Sequence, residues 1–500
     1  MRLELEKGIN QCYIINDSYN NDLGGLKIAL QFLKNQKQRS KKTLILSDIL
    51  QSSLSKEALY KEVNSLVNNS DLAHIIGIGP DISSQRHLFK LKGDFFPSTK
   101  AFLEGNKVQD FSQEVILVKG SRVGQLEEIV SALAEKLHET ILEIDLDAIT
   151  HNLNSYRNRL TTPCKLMVMV KALAYGSGSV EISNLLQNQK VDYLAVAYTD
   201  EAIELRKNGI KLPIMVMNPK NDLEQLINYE LEPEIFDIIQ LKNLIDDLEL
   251  KKRNLSIHIN LDTGMNRLGF EQEEIDELCQ LLLSSKRIKV KSVYTHLAGA
   301  NSFEHKDFSL AQLTDFKKFS IELESNLNHS VIKHALNSAG IINFPNYRMD
   351  MVRLGIGLYG FDPSNSISNE LENISTFKTI ISQIRTVKKG NTVGYSRKGV
   401  VKRDSRIAII ALGYADGFSR SFSNGIGKVL INGCAAKVMG NVCMDMTMVD
   451  VTGLDAKVGD QVIIFGSELP IEEVATSINT IPYDILTNVS ERVKRVFFSS

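Results

Sequence analysis

A chain of 500 residues is longer than one core usually carries, so two or three domains are expected. With 43% hydrophobic and 24% charged residues it suits a soluble globular protein, and a formal net charge of -2 excludes the basic face of a general nucleic-acid binder. No apolar run is long enough to span a bilayer, the opening MRLELEKGIN has no signal-peptide core, and the five cysteines are scattered without a C-x-x-C pair, so a reduced, cytoplasmic chain with no membrane partner and no metal site is expected.

Residues 1–138 alternate short apolar runs (KTLILSD, HIIGIG, EVILVKGS) with amphipathic stretches, the rhythm of a small α/β unit around a parallel sheet. That segment closes on QLEEIVSALAEKLH, where Leu126, Ile129, Val130, Leu133 and Leu137 recur at helical spacing. Over residues 139–370 the rhythm lengthens into eight apolar runs: KLMVMVK, DYLAVAY, LPIMVMN, LEPEIFD, LSIHINLD, VKSVYTHL, VIKHALNS and MVRLGIGLYG. Helix-period segments such as TDEAIELRKNGI separate most of them, which predicts a (β/α)8 barrel; a doubly wound open sheet would use the same strands. Over 371–500 the runs RIAIIALGYADG, GKVLINGCAAKVMG, DMTMVDVT and GDQVIIFG alternate with Gly, Asn and Asp turns. A mostly β domain follows, with one short helix at PIEEVATSI.

In a barrel, catalytic groups gather at the C-terminal ends of the strands. Those ends are Lys171 after the first strand, Asp262 and Arg267 after the fifth, His296 after the sixth, Asn337 and Ser338 at the seventh, and Arg353, Gly355 and Ile356 in or just past the eighth. Strands seven and eight are where barrels commonly bind phosphate through hydroxyls and backbone N–H groups. A lysine near such a pocket suits pyridoxal phosphate, whose aldehyde reacts with an amine of lowered pKa. Each residue also has a plainer reading: Lys171 as a strand-end charge reaching water, His296 as a satisfied core histidine, Asn337 and Ser338 as a helix cap. Arg353 is the least plain, because a buried guanidinium needs acceptors.

The segments VMVKALAYGSGS, INLDTGMNRLGF, VYTHLAGA, ALNSAG, MVRLGIGLYG, TVGYSRKG, ALGYADGFSRSFSNGIGKVLING, MGNVCMDMTMVDV and PYDILTNVSERVKRVF follow in order between residues 139 and 497. Together they resemble the fold-type III pyridoxal-phosphate alanine racemases. The resemblance implies a TIM barrel followed by a β domain, L- and D-alanine as substrates, D-alanine supply for peptidoglycan, and a homodimer with its active site shared between subunits. It makes Lys171 the cofactor-bearing lysine and one of two bases, with Tyr395 the opposite base from across the dimer interface. Removing a Cα proton from one face and returning it on the other calls for two such groups. A hydrogen-bonded chain from Tyr395 through His296 to Arg353 would support the tyrosine, and Arg353 would face the pyridine nitrogen. Tyr175, Asn337, Ser338, Gly355, Ile356 and Tyr483 would hold the phosphate. Arg267 and the backbone of Met444 would hold the substrate carboxylate, with Tyr414 and Asp445 nearby.

Two departures stand out. Many family members read H-L-K-V-D-T-G-M, with a lysine that can be carbamylated to brace the arginine; here Asn260 takes its place, so an amide or a bound anion is left to do so. Leu173 and Ser177 replace the Asp and His of the commoner K-A-D-A-Y-G-H-G. A broader amino-acid racemase and a non-catalytic scaffold for cell-wall enzymes are the alternative readings.

The first 138 residues resemble a different family through IINDSYNNDLGGLKIALQFL, LILSDI and VILVKGSR. These are similar to the Rossmann-like C-terminal domain of the Mur ligase that adds D-alanyl-D-alanine to the UDP-muramoyl tripeptide. No G-x-x-x-x-G-K-[ST] phosphate loop occurs in the sequence, so the chain alone is not expected to hydrolyse ATP or ligate. It is expected to be part of a ligase–racemase fusion or to keep a ligase remnant, with Asp17, Tyr19 and Asn20 as either a nucleotide edge or plain turn residues.

Overall fold

A computed structural model describes residues 4–499 apart from 19, 20, 37, 50, 51, 53, 106, 122, 123, 134–139, 161, 162, 220, 221 and 328. The chain divides into two units, Met1–Leu137 and His138–Ser500. Among the described residues, no helix is long and apolar enough to cross a membrane.

The first unit is a six-stranded sheet of β1 (Glu4–Lys7), β2 (Tyr13–Asp17), β3 (Lys41–Ser47), β4 (His74–Ile78), β5 (Gly93–Phe96) and β6 (Glu114–Lys119). Its order is β1-β2-β6-β3-β4-β5, parallel throughout except for β1, which runs antiparallel to β2. The strands read as apolar runs because helices cover both faces. Ile15, Leu44, Leu46 and Leu117 pack under one helical layer, while Ile14, Ile45, Ile116 and Val118 pack under the other. The closing helix spans Glu127–Leu133 and buries Ile129 and Leu133; Leu126 and Val130 are buried too, and Leu137 lies outside the described residues. Asp17 does not line an open edge. It is buried and paired with the equally buried Lys119 at 2.9 Å, while Tyr19 and Asn20 lie outside the described residues.

The second unit opens with β7 (Ile141–Asp145), then builds β8 (Lys165–Met169), β9 (Tyr193–Val196), β10 (Ile214–Val216), β11 (Glu232–Ile235), β12 (Leu255–Asn260), β13 (Ile288–Tyr294), β14 (Ile332–His334) and β15 (Met351–Leu354). Strands β8 to β15 fall on the eight runs read from the sequence and pair in parallel in chain order, with β15 returning to β8. The ring closes where the Asp350 N–H donates to the Lys333 carbonyl and the Arg353 N–H to the Leu336 carbonyl. This is the (β/α)8 barrel.

The remaining strands are β16 (Ser375–Val387), β17 (Thr392–Val393), β18 (Gly399–Val400), β19 (Ser405–Ile410), β20 (Lys428–Ile431), β21 (Cys434–Val438), β22 (Thr447–Asp450), β23 (Gln461–Phe465) and β24 (Lys494–Phe498). The long β16 pairs with β23 through its first half and with β19 through its second, so β19-β22-β21-β20-β23-β16 closes on itself. Closure leaves no bare edge in that ring. The helix at Ile471–Ser477 stands where the sequence placed one, and a second, at Pro482–Thr487, was not anticipated. Residues 141–145, grouped with the barrel by sequence rhythm, belong instead to this sheet: β7 pairs with β16 and β24. Its Leu142 and Ile144 alternate into the core, the period of a strand with one buried face.

Candidate active site

Lys171 leaves the end of β8 and starts a left-handed turn. Ala172, Leu173, Ala174 and Tyr175 all have φ between 50° and 54°. Non-glycine residues adopt that conformation at roughly 1 kcal/mol each, so the surroundings must hold it. Glu201 helps from the helix after β9, accepting the Ala172 N–H at 2.6 Å through one oxygen and the Ala197 and Tyr198 N–H groups at 2.7 and 3.0 Å through the other. Gly176 ends the turn at φ 79°, where a Cβ would lie 2.2 Å from the Leu486 carbonyl oxygen. That contact seats the Pro482–Thr487 helix, which carries Tyr483. Burial, reinforced by the Arg267 charge, lowers the Lys171 amine from its ordinary value.

Beside this turn, Tyr175 packs its ring 4.5 Å from Tyr359 and 6.0 Å from Tyr483. The Tyr359 hydroxyl donates to the Met169 carbonyl and fixes the floor. Ser338 Oγ accepts the Gly355 N–H at 2.9 Å and the Gly357 N–H at 3.3 Å, which leaves its own O–H to donate. A Cβ at Gly355 would stand 3.1 Å from the Tyr175 hydroxyl oxygen, so only glycine keeps the space between Tyr175, Ser338 and the backbone at Ile356 open. Ser338, Gly355, Ile356, Tyr175 and Tyr483 thus stand together. Asn337 accepts the Gly340 N–H at 2.9 Å through its side-chain oxygen and caps the helix Ser338–Asn343, a role that leaves its NH2 group to donate.

Arg353 sits in β15 opposite Met167 of β8, 3% exposed. Nη1 donates to His334 Nδ1 at 2.8 Å and to the His334 carbonyl at 3.0 Å; Nη2 donates to the carbonyls of Thr295 at 2.7 Å and Ala335 at 3.1 Å. The four Nη hydrogens are therefore spent on the chain, and Nε–H is the donor left for a ligand. Burial pushes the guanidinium down to about 10, still protonated at neutral pH. Below it, His334 Nε2 meets Ser292 Oγ at 2.8 Å, Ser292 Oγ meets His258 Nδ1 at 2.6 Å, and His258 Nε2 meets Glu232 at 3.0 Å.

The expected chain from Tyr395 through His296 to Arg353 is not formed within this chain. Arg353 spends its bonds on His334 and carbonyls, and His296 Nδ1 is buried without a hydrogen-bond partner among the described residues. Burial, then the charges of Arg353, Arg267 and Lys171, push the His296 imidazole down to about 3, so it is neutral at physiological pH. Tyr395 stands in the β domain, 72% exposed, on a turn held by the Asn441 amide at its carbonyl. Tyr414 and Met444 are likewise exposed there, on loops interlocked by the Tyr414 N–H to the Cys443 carbonyl and the Ala415 N–H to the Met444 carbonyl. Asp445 pairs with Arg492 at 2.8 Å, which also holds Asp416, so its charge is engaged.

Arg267 is exposed on the loop after β12, whose turn Asp262 fixes by accepting the Gly264 and Met265 N–H groups. Asn260 braces that loop directly, donating to the Leu268 carbonyl at 3.2 Å and to Glu234 Oε1 at 2.8 Å. Leu173 lines a cavity of about 670 Å³ behind the lysine turn, with Glu201 and Tyr414, and the Ser177 hydroxyl is buried without a hydrogen-bond partner among the described residues. Glu201, Glu234 and His334 went unremarked in the sequence. His334 and Glu234 lay inside barrel runs, where polar residues facing the interior were the available signal.

Residues 144–363 match the model of the alanine racemase N-terminal domain, and 374–497 that of the alanine racemase C-terminal domain. The chain is 35% identical over 373 residues to alanine racemase 1 of Caldanaerobacter subterraneus subsp. tengcongensis, covering 72% of this chain and 95% of that one. It is 37% identical over 373 residues to the alanine racemase of Methanococcus maripaludis, covering 72% and 99%. The solved alanine racemase of Clostridium difficile 630 superposes with a TM-score of 0.69 at 35% identity, covering 73% of this chain and 97% of that one. The Bartonella henselae enzyme, solved with covalently bound pyridoxal phosphate, gives 0.66 at 29% identity, covering 72% and 100%. From the lysine turn to the closing strand, the chain belongs to the alanine racemase family.

Proposed function

We propose that the chain racemises alanine at the mouth of its barrel, with the second base drawn from a partner subunit. It is a pyridoxal-phosphate-dependent isomerase. The bound cofactor supplies an electron sink that acidifies the alanine Cα proton. One observation carries the assignment of residues: a lysine of lowered pKa, a hydroxyl-and-amide cradle and a single unspent arginine N–H stand at neighbouring ends of β8, β14 and β15. The Ser338 O–H, the Ile356 backbone N–H, Tyr175 and Tyr483 fit a phosphate, with Gly355 leaving it room, and the Arg353 Nε–H fits a pyridine nitrogen that accepts but receives no full proton.

Lys171 Nζ then takes or returns the proton on one face of the substrate. Tyr395 does the same on the other, and Arg267 orients the substrate carboxylate. A single chain leaves Tyr395, Tyr414 and Met444 exposed on the β domain and His296 Nδ1 without a hydrogen-bond partner among the described residues. A homodimer that brings the partner's β domain to each barrel accounts for both, and completes the path from tyrosine to His296. The product suits D-alanine supply for the cell wall.

For residues 1–137, the doubly wound sheet and its quoted motifs support a Mur-ligase C-terminal-like domain without ligase activity of its own. The full chain is expected to release no phosphate from ATP.

The test of the racemase reading is direct. Purified protein should show visible cofactor absorbance, gain the cofactor mass on Lys171 after borohydride reduction, and interconvert L- and D-alanine. Absorbance that persists unchanged in Lys171→Ala would refute the assignment.

A further inference from the structure

Glu234 is a carboxyl where a barrel strand normally carries an apolar side chain, 2% exposed in β11. The Asn260 amide on β12 donates to its Oε1 at 2.8 Å, and the same nitrogen holds the Leu268 carbonyl, next to Arg267. Four further groups act electrostatically on the carboxyl: the Tyr294 hydroxyl from β13, out of hydrogen-bond alignment, Arg353 from β15, Arg267 from the loop after β12, and Lys171 from the end of β8. Two guanidiniums and an amine at one barrel mouth repel one another unless a negative charge stands between them. Asn260 carries none; Glu201 answers Lys171 from the helix after β9, and Glu234 is the carboxyl on which the Arg267 and Arg353 charges act.

We infer that Glu234 is the positioning residue of Arg267: its carboxylate, tied to the arginine loop through Asn260, holds that guanidinium in place to receive the substrate carboxylate. The inference deepens the racemase reading and rests on it. Burial pushes the Glu234 carboxyl up to about 7, against the pull of Tyr294, Asn260, Arg267 and Arg353. Its charge is thus present on the alkaline side of neutrality and lost on the acid side. A purely structural glutamate would have no effect on the substrate-binding term.

Glu234→Gln keeps the shape and removes the charge. Once the unaltered enzyme is shown to bind cofactor and racemise alanine, the variant is expected to keep its cofactor absorbance. Its KM for both enantiomers should rise roughly tenfold while kcat changes less than about threefold. Infrared titration of the protein without substrate gives a reading independent of turnover: a protonated-carboxyl stretch should vanish near pH 7 in the unaltered protein and be missing from Glu234→Gln. An unchanged KM, or a band indifferent to the substitution, overturns the assignment. If Glu234→Gln does not fold, Asn260→Ala decides. Loss of the amide should raise KM and move the infrared midpoint to higher pH, and no change in either overturns the proposal. An unaltered protein without cofactor absorbance would refute the racemase reading instead.

Discussion

Arg353 donates from Nη1 to Nδ1 of His334 at 2.8 Å, and the two residues cannot exchange roles in that bond. A guanidinium only donates, so His334 must be neutral with its lone pair on Nδ1 and its proton on Nε2. Burial and then the Arg353 charge agree, holding His334 well below its ordinary pKa. His334 Nε2–H then donates to Ser292 Oγ, and Ser292 Oγ and Glu232 hold the two ring nitrogens of His258, which ties Arg353 to Glu232 through one buried chain. Replacing His334 with Leu strands an arginine donor in the interior. The expected loss is about 1–3 kcal/mol of unfolding free energy in urea, with a smaller loss for His334→Gln, which offers an amide oxygen.

Glu201 accepts three backbone N–H groups and through that of Ala172 ties the left-handed lysine turn to the segment after β9. Glu201→Ala leaves those donors to water or to nothing and lets the turn relax. Stability is expected to fall by roughly 2 kcal/mol, and cofactor to be lost faster on dialysis, followed by its absorbance. Retention equal to that of the unaltered protein would mean the turn is held elsewhere.

At Gly176 the backbone is already left-handed and the Leu486 carbonyl occupies the Cβ position. Gly176→Ala therefore cannot be absorbed by a side-chain rotation; the Pro482–Thr487 helix has to move, and Tyr483 with it. The expected cost is about 2–4 kcal/mol, with weakened binding of inorganic phosphate to the apoprotein by calorimetry.

Glu234 also predicts a pH dependence of stability. Its folded pKa, about 7, lies above the ordinary 4.5, so the folded state binds more protons between those values. Unfolding free energy from this group is fully present below about 4.5 and is lost as pH rises through 7. Relative to the unaltered protein, Glu234→Gln should gain stability progressively over that window, by up to about 3 kcal/mol, and hold the gain above it. Parallel urea midpoints at about pH 4.5 and 8 would contradict this.

Much of the fold was legible because period and position carry it. The barrel strands are short, mostly apolar runs; Lys171 and His296 stand just past two of them, and Arg353 inside a third. What stayed hidden depends on three-dimensional neighbours. Residues 141–145 read as a strand, yet which sheet it joins is decided by β16 and β24, far along the chain. Nothing at Glu234 or His334 signals a partner locally, since Asn260 and Arg353 arrive from other strands. Asn337 was legible as a helix cap, and the Gly340 N–H bears that reading out while leaving its NH2 group for the other.

The central claim is that Lys171 and Tyr395 of different subunits serve one site, and mixing subunits tests it most directly. Lys171→Ala and Tyr395→Phe are each expected to be nearly inactive alone. Unfolded and refolded together in equal amounts with pyridoxal phosphate, they should recover about a quarter of the unaltered activity, because half the dimers then hold one intact site. A mixture that stays as inactive as its components would contradict the shared site.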